Sequence, residues 1–222
     1  MESIRSIERA ARLILISVSA LLFFSAAQTA FSAPASTDFT YMTNNGTIVI
    51  TGYTGLGGEV NIPASIDGLP VTSIGAGAFL GCINLTGITI PDSVRVIEDG
   101  AFWETGLTDV TVPDGVIDFG TAFCIVGLTN MVIGSGVTSI TDFAFQGCEE
   151  LIGVSIGTNV VSIGALAFQG CISLSDIAIP SGVTSIGDQA FDGCVNLRGI
   201  TVPDSVRSEE HTSELQSLAY LV

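Results

Sequence analysis

The sequence contains no lysine. Arginine is scarce as well, and together the two supply 6 positive side chains against 22 aspartates and glutamates in 222 residues. Nucleic acids and anionic lipid surfaces are held by Lys and Arg that neutralise phosphates, so a chain this poor in both is excluded from those partners. There is one histidine, His211, and one tryptophan, Trp103. A lone histidine cannot build a multi-histidine zinc site, and no Cys-x-x-Cys pair stands in for it, so no metal or other cofactor is expected. No phosphate-binding loop appears either.

Long apolar runs are also missing, with one exception at the start. Arg5, Arg9 and Arg12 precede an apolar stretch from Leu13 to Phe24, followed by Ser25-Ala26-Ala27 and Ala30-Phe31-Ser32. Basic residues, a short apolar run and small residues in that order make a secretory signal peptide, assigned to residues 1–32, with cleavage after Ala27 or Ser32. The run is too short to span a bilayer comfortably, so no membrane insertion is expected once the signal is removed. From Gln28 to Val206 seventeen acids face two arginines, Arg95 and Arg198. Such a surface keeps an exported protein dispersed.

What the chain has in abundance is repetition. Ala-Phe recurs at Ala78-Phe79, Ala101-Phe102, Ala122-Phe123, Ala144-Phe145, Ala167-Phe168 and Ala190-Phe191, with the phenylalanines 23, 21, 22, 23 and 23 residues apart. One unit runs "SLSDIAIPSGVTSIGDQAFDGC" from Ser173 to Cys194. Ile177 and Ile179 alternate around Ala178, the pattern of a strand with one buried face. Pro180 lacks a backbone donor and ends the pairing. Val183 and Ile186 carry the chain around, and Ala190-Phe191 is expected to form a short helical turn that wedges into the core. Other copies keep the scheme, among them Leu85, Ile88, Ile90, Val94, Ile97, Ala101 and Phe102. One unit cannot bury these residues alone, whereas stacked copies form a continuous core with a parallel sheet and each phenylalanine resting on the next.

The unit Leu-x-x-Ile-x-Ile-Pro-x-x-Val-x-x-Ile-x-x-x-Ala-Phe-x-Gly-Cys resembles the BspA-type, or Treponema-type, leucine-rich repeat of bacterial surface proteins. The expected fold is a mainly β repeat solenoid of parallel strands and short helical turns over residues 58–206. An N-terminal β-hairpin should cap it over residues 38–57, where Asn45-Gly46 separates the alternating runs Phe39/Tyr41 and Ile48/Ile50. Both turn residues tolerate positive φ. Two copies, "AFWETGL" and "AFCIVGL", are one residue shorter and lack the Gly-Cys, and Val116–Phe123 loses one more. A local irregularity is expected there.

Of the five cysteines, Cys82, Cys148, Cys171 and Cys194 follow Gly at one position of the repeat, while Cys124 falls in an irregular copy. Side chains stacked in parallel disfavour disulfide geometry, so buried thiols are expected. Asp92, Asp114 and Asp204 recur just after Pro, where a turn preference accounts for them without acid–base chemistry. The solvent side of the sheet should show Asn61, Thr89, Thr111, Val132, Ser155, Ala178 and Thr201 in one row, and Glu59, Gly87, Asp109, Asn130, Gly153, Asp176 and Gly199 in another. Within it Thr89, Asp109, Thr111, Asn130, Ser155, Asp176 and Thr201 are the candidate binding residues. They could form a recognition surface for a protein or glycan on a host cell, a neighbouring cell or a matrix, or simply a solvated face.

The resemblance implies a non-enzymatic, exported or cell-surface binding scaffold that serves interaction or adhesion. A repeat module of a larger secreted enzyme and a structural spacer are the alternatives. The last sixteen residues, "RSEEHTSELQSLAYLV" from Arg207 to Val222, match nothing in the repeat. Back-translated, they reproduce one frame of a common short-read sequencing adapter. They are therefore assigned as a non-native tail, which removes His211 from consideration and leaves "VPDSV" as the start of an unfinished coil.

Overall fold

The computed structural model describes residues 38–123, 127–198 and 200–206. The signal segment, Cys124, Gly199, and the whole of 207–222 with His211 lie outside the described residues.

The hairpin forms where the alternation and Asn45-Gly46 place it. Strand β1 (Phe39–Asn44) runs antiparallel to β2 (Thr47–Tyr53). Asn45 and Gly46 take φ of 47° and 79°, the left-handed pair that a two-residue hairpin turn requires. Phe39, Ile48 and Ile50 are buried, but Tyr41 is not. A bulge at Thr40/Tyr41, where Thr51 of β2 is left unpaired, sets Tyr41 opposite buried Ile50, yet the Tyr41 ring itself is exposed. Its hydroxyl donates to Asp67 Oδ2 at 2.7 Å. The hairpin covers the first coil by joining it, since β2 pairs in parallel with β5 (Leu69–Ile74). A short strand β4 (Ser65–Ile66) meets β5 on its other side.

The repeats build two parallel ladders. The first starts with β3 (Gly58–Asn61) and β6 (Leu85–Thr89). It resumes with β8 (Asp109–Val112), β9 (Asn130–Ile133), β11 (Gly153–Ser155), β13 (Asp176–Ala178) and β15 (Ile200–Thr201), all in register. The second ladder, which the apolar pattern alone did not reveal, consists of two-residue strands. Among them β7 (Val96–Ile97) pairs with β5, and β10 (Ser139–Ile140), β12 (Ser162–Ile163) and β14 (Ser185–Ile186) pair with one another. Between β7 and β10 only a Val96–Asp118 bridge remains. This is the stretch where the sequence had lost a residue.

The Ala-Phe segment forms successive turns and not a helix. The amides of Ala78, Leu80 and Cys82 donate to the carbonyls of Gly75, Gly77 and Phe79, three residues back. The intervening amides of Phe79 and Gly81 donate to Ala101 and Trp103 of the next coil. A helix cannot propagate when alternate donors are committed elsewhere and left-handed residues intervene. Gly81, Gly147, Gly170 and Gly193 all have φ between 72° and 74°, which explains the Gly of Phe-x-Gly-Cys. In the short copy Glu104 occupies this place with φ 55°. A side chain there costs about 1 kcal/mol relative to glycine. Glu104→Gly is therefore expected to stabilise the fold by about 1 kcal/mol, read as a rise in the urea midpoint at constant slope.

The core is one continuous column. Phe79, Phe102, Phe123, Phe145 and Phe168 are fully buried. Phe102 stacks on Phe79 at 5.1 Å and on Phe123 at 5.2 Å between ring centroids. Phe168 stacks on Phe145 at 5.1 Å and on Phe191 at 5.2 Å. The cap extends the column, with Tyr53 stacked on Phe79 at 5.3 Å. Between Phe123 and Phe145 the contact passes through Phe119, which lies 6.0 Å from one and 5.7 Å from the other. Phe119 stands where other copies carry Ile, three residues before Ala122 instead of four before the alanine. The larger ring occupies the place left by the missing residue.

Candidate functional site on the exposed sheet face

Among the described residues the first ladder carries both expected rows on the side opposite its buried residues. Asp109, Asn130, Gly153 and Asp176 stand side by side through successive pairings, and so do Thr111, Val132, Ser155, Ala178 and Thr201. On the far side Asn61 pairs with Thr89, and Glu59 with Gly87. The alternate residues Val110, Met131, Val154 and Ile177 are buried beneath them. A strand has period two, so burying one set necessarily exposes the other.

The face is not continuous. The ladder breaks between β6 and β8, and a depression of ≈ 490 Å³ opens there. Thr89, Asp109, Thr111 and Asn130, four of the seven candidate binding residues, line it together with Ile88, Val110 and Val132. Ser155, Asp176 and Thr201 lie further along the face, exposed and outside the depression. Ile88 departs from the repeat scheme. Its counterparts in later coils are buried, whereas Ile88 is only half-buried at the edge of the break. Nothing in the apolar pattern marks this site, because Leu85, Ile88 and Ile90 follow the same spacing as every other copy. The signal lies in the backbone, where β6 slips by one residue against β3 between Gly58 and Glu59.

Asp109 is held at the rim. Asn130 Nδ2 donates to its Oδ1 and the Thr108 hydroxyl to its Oδ2, both at 2.8 Å. These bonds, that from Asn130 first, hold its carboxyl below the usual range, so the group is ionised at neutral pH. The post-proline acids behave as turn residues that also join coils. Asp114 Oδ1 accepts the Ser135 amide at 2.6 Å, and this bond lowers its carboxyl in the same way.

Gly153-Val154-Ser155-Ile156-Gly157 spells Gly-x-Ser-x-Gly, the spacing of a hydrolase nucleophile. That motif needs a sharp strand-to-helix turn to lift the serine. Here Ser155 lies within β11, flat on the sheet, and no histidine occurs among the described residues. Among the described residues no disulfide joins Cys82, Cys148, Cys171 and Cys194. Cys148, Cys171 and Cys194 are buried and donate to the carbonyls of Phe123, Phe145 and Phe168 at 3.1–3.2 Å. Burial pushes the Cys82 thiol up, although Cys82 is only half-buried and so departs from the expected buried set.

Six copies of the BspA-type leucine-rich repeat match residues 59–123 and 120–213. The chain belongs to the BspA-type leucine-rich repeat family. Its fold is similar to that of the leucine-rich repeat protein of T. pallidum, with a TM-score of 0.75 and 29% identity over 85% of this chain and 97% of that one. A leucine-rich cell surface protein from Faecalibacterium prausnitzii matches with a TM-score of 0.53 and 28% identity, over 82% of this chain and 57% of that one. A leucine-rich repeat protein from Bacteroides ovatus gives 0.54 and 26%, over 79% and 54%. This BspA-type chain thus spans little more than half of the latter two. None of the curated proteins matches it. Among the described residues no helix is long and apolar enough to cross a membrane, and no group of three or more His, Cys, Asp or Glu is placed to hold a metal ion.

Proposed function

We propose that this BspA-type protein is an exported, non-enzymatic scaffold. Its exposed sheet face binds another protein at a cell surface or matrix and so serves interaction or adhesion. The observation that carries this reading is the depression in an otherwise regular face, lined by Thr89, Asp109, Thr111 and Asn130. A spacer needs only stacked coils. A break that opens the sheet on its solvent side and half-exposes a core isoleucine has no use in stacking. The signal-like start of the sequence and the cell-surface relative from Faecalibacterium prausnitzii support export.

The test is capture by the purified protein from immobilised host-cell surface and matrix proteins. Thr111→Arg with Ser155→Arg, both exposed, should lower capture at least tenfold. Thr138→Arg, exposed away from the sheet face, should leave it unchanged. No capture by the unaltered protein, or equal capture by the face variant, would overturn the proposal.

A further inference from the structure

The chemistry of the depression selects its occupant, granted that the face is a binding face. Its walls are aliphatic, with Ile88 and Ile90 on the β6 side and Val110 and Val132 on the other. Among the described residues no aromatic ring lines it, so a sugar would have no platform on which to stack. Its charge is of one sign. Asp109 stands at the β8 rim with both oxygens already oriented by Asn130 and Thr108. From the opposite side comes Glu59. Gly87 has no side chain, and the Glu59 carboxyl leans over it: a Cβ on Gly87 would lie 3.2 Å from Glu59 Cδ. Gly87 belongs to β6, the strand that borders the break. Asp109 lines this aliphatic slot, the Glu59 carboxyl leans over the neighbouring Gly87, and among the described residues no cation lines the slot. Arg95 is turned elsewhere, its Nη1 donating to the carbonyls of Asp92, Val94 and Gly115.

An aliphatic slot with carboxylates at its mouth matches a side chain that is apolar along its stem and cationic at its tip. We infer that the break between β6 and β8 receives an arginine or lysine side chain from an extended segment of a partner protein, the stem against Ile88 and Val110 and the cation between Asp109 and Glu59. The row of Thr111, Ser155 and Thr201 beside the break is small and exposed, which leaves room for the partner backbone on the β8 side. Complementary charge of this kind sets specificity and encounter rate and is weakened by salt.

Nitrogen-15 spectra of the full chain would be recorded during titration with a capped peptide Val-Leu-Arg-Leu-Val-Thr. Controls are the same peptide with citrulline, which keeps the shape and removes the charge, and arginine amide alone. The arginine peptide should shift the amides of Thr89, Asp109 and Thr111 and bind at least tenfold more tightly than the citrulline peptide. Asp109→Asn should weaken the arginine peptide about fivefold or more and leave the citrulline peptide unchanged. Equal binding of the two peptides, shifts confined to other acids, or indifference to Asp109→Asn would each overturn the inference. So would arginine amide binding as tightly as the peptide, since the ligand would then be a free cation. A surface protein captured through the Thr111 and Ser155 face, yet indifferent to salt and to Asp109→Asn, would overturn this inference and leave the binding scaffold standing.

Discussion

Phe168→Ala should lower the free energy of unfolding by about 4–5 kcal/mol, near the top of the range for a buried phenylalanine. The residue is fully buried, so truncation leaves a cavity that the flanking coils cannot collapse around. Its ring is stacked on both sides, against Phe145 with planes 14° apart and against Phe191 with planes 2° apart. Each lost stack adds to the transfer and cavity terms. In a solenoid, stability is roughly a sum of coil terms and nearest-neighbour terms, and one substitution here weakens two neighbour terms at once. Phe191 supplies the comparison. It is as deeply buried, but among the described residues its ring stacks only on Phe168. Phe191→Ala should therefore cost about 3 kcal/mol, measured by urea unfolding followed by circular dichroism. Equal losses at the two positions would mean that the column contributes through burial alone and not through stacking between coils.

That column could be read from the sequence because it depends on spacing. Six Ala-Phe pairs at near-constant intervals fix the stacking direction, the parallel strands and the outward rows before any coordinate is known. The hairpin was legible for a similar reason, since Asn45-Gly46 has few other uses between two alternating runs. Three things were not legible. Tyr41 continues the alternation and stands opposite buried Ile50, yet its ring is exposed. Phe143, Leu166 and Gln189 adopt φ between 53° and 61° just before Ala-Phe, which no propensity would assign to them. The coil geometry imposes that conformation whatever the side chain. The break between β6 and β8 is the third, and it matters most for function. Ile88 has the right character and the right spacing, and what fails is backbone pairing. The candidate residues Thr89, Asp109, Thr111 and Asn130 could be placed on one face from sequence, but not gathered around one depression.

The joint between cap and solenoid carries the second large effect. Gly57 has φ 89°, and a Cβ there would lie 2.6 Å from both the carbonyl carbon and the oxygen of Asn84. These are backbone atoms and cannot rotate away. The coil cannot retreat either, because the Gly58 amide donates to that same Asn84 oxygen at 2.6 Å. Gly57→Ala thus combines a left-handed penalty of about 1 kcal/mol with an overlap of about 1–3 kcal/mol, for an expected loss near 3 kcal/mol. Gly58 separates the two terms. Its φ is 79°, but nothing lies within 4 Å of its Cβ position, so Gly58→Ala should cost only about 1 kcal/mol. A difference of less than about 0.5 kcal/mol between neighbours of such similar φ would mean that the close approach to Asn84 relaxes freely. The consequence reaches the candidate site, because Gly57 leads directly into β3, from which Glu59 leans over Gly87. Displacing that strand should move the Glu59 carboxyl while leaving Asp109 and its partners on β8 and β9 in place. Gly57→Ala is therefore expected to perturb the amides around Glu59 and Gly87 in a nitrogen-15 spectrum and spare that of Asn130, whereas a uniform change across the face would show that the rims of the depression are not independent.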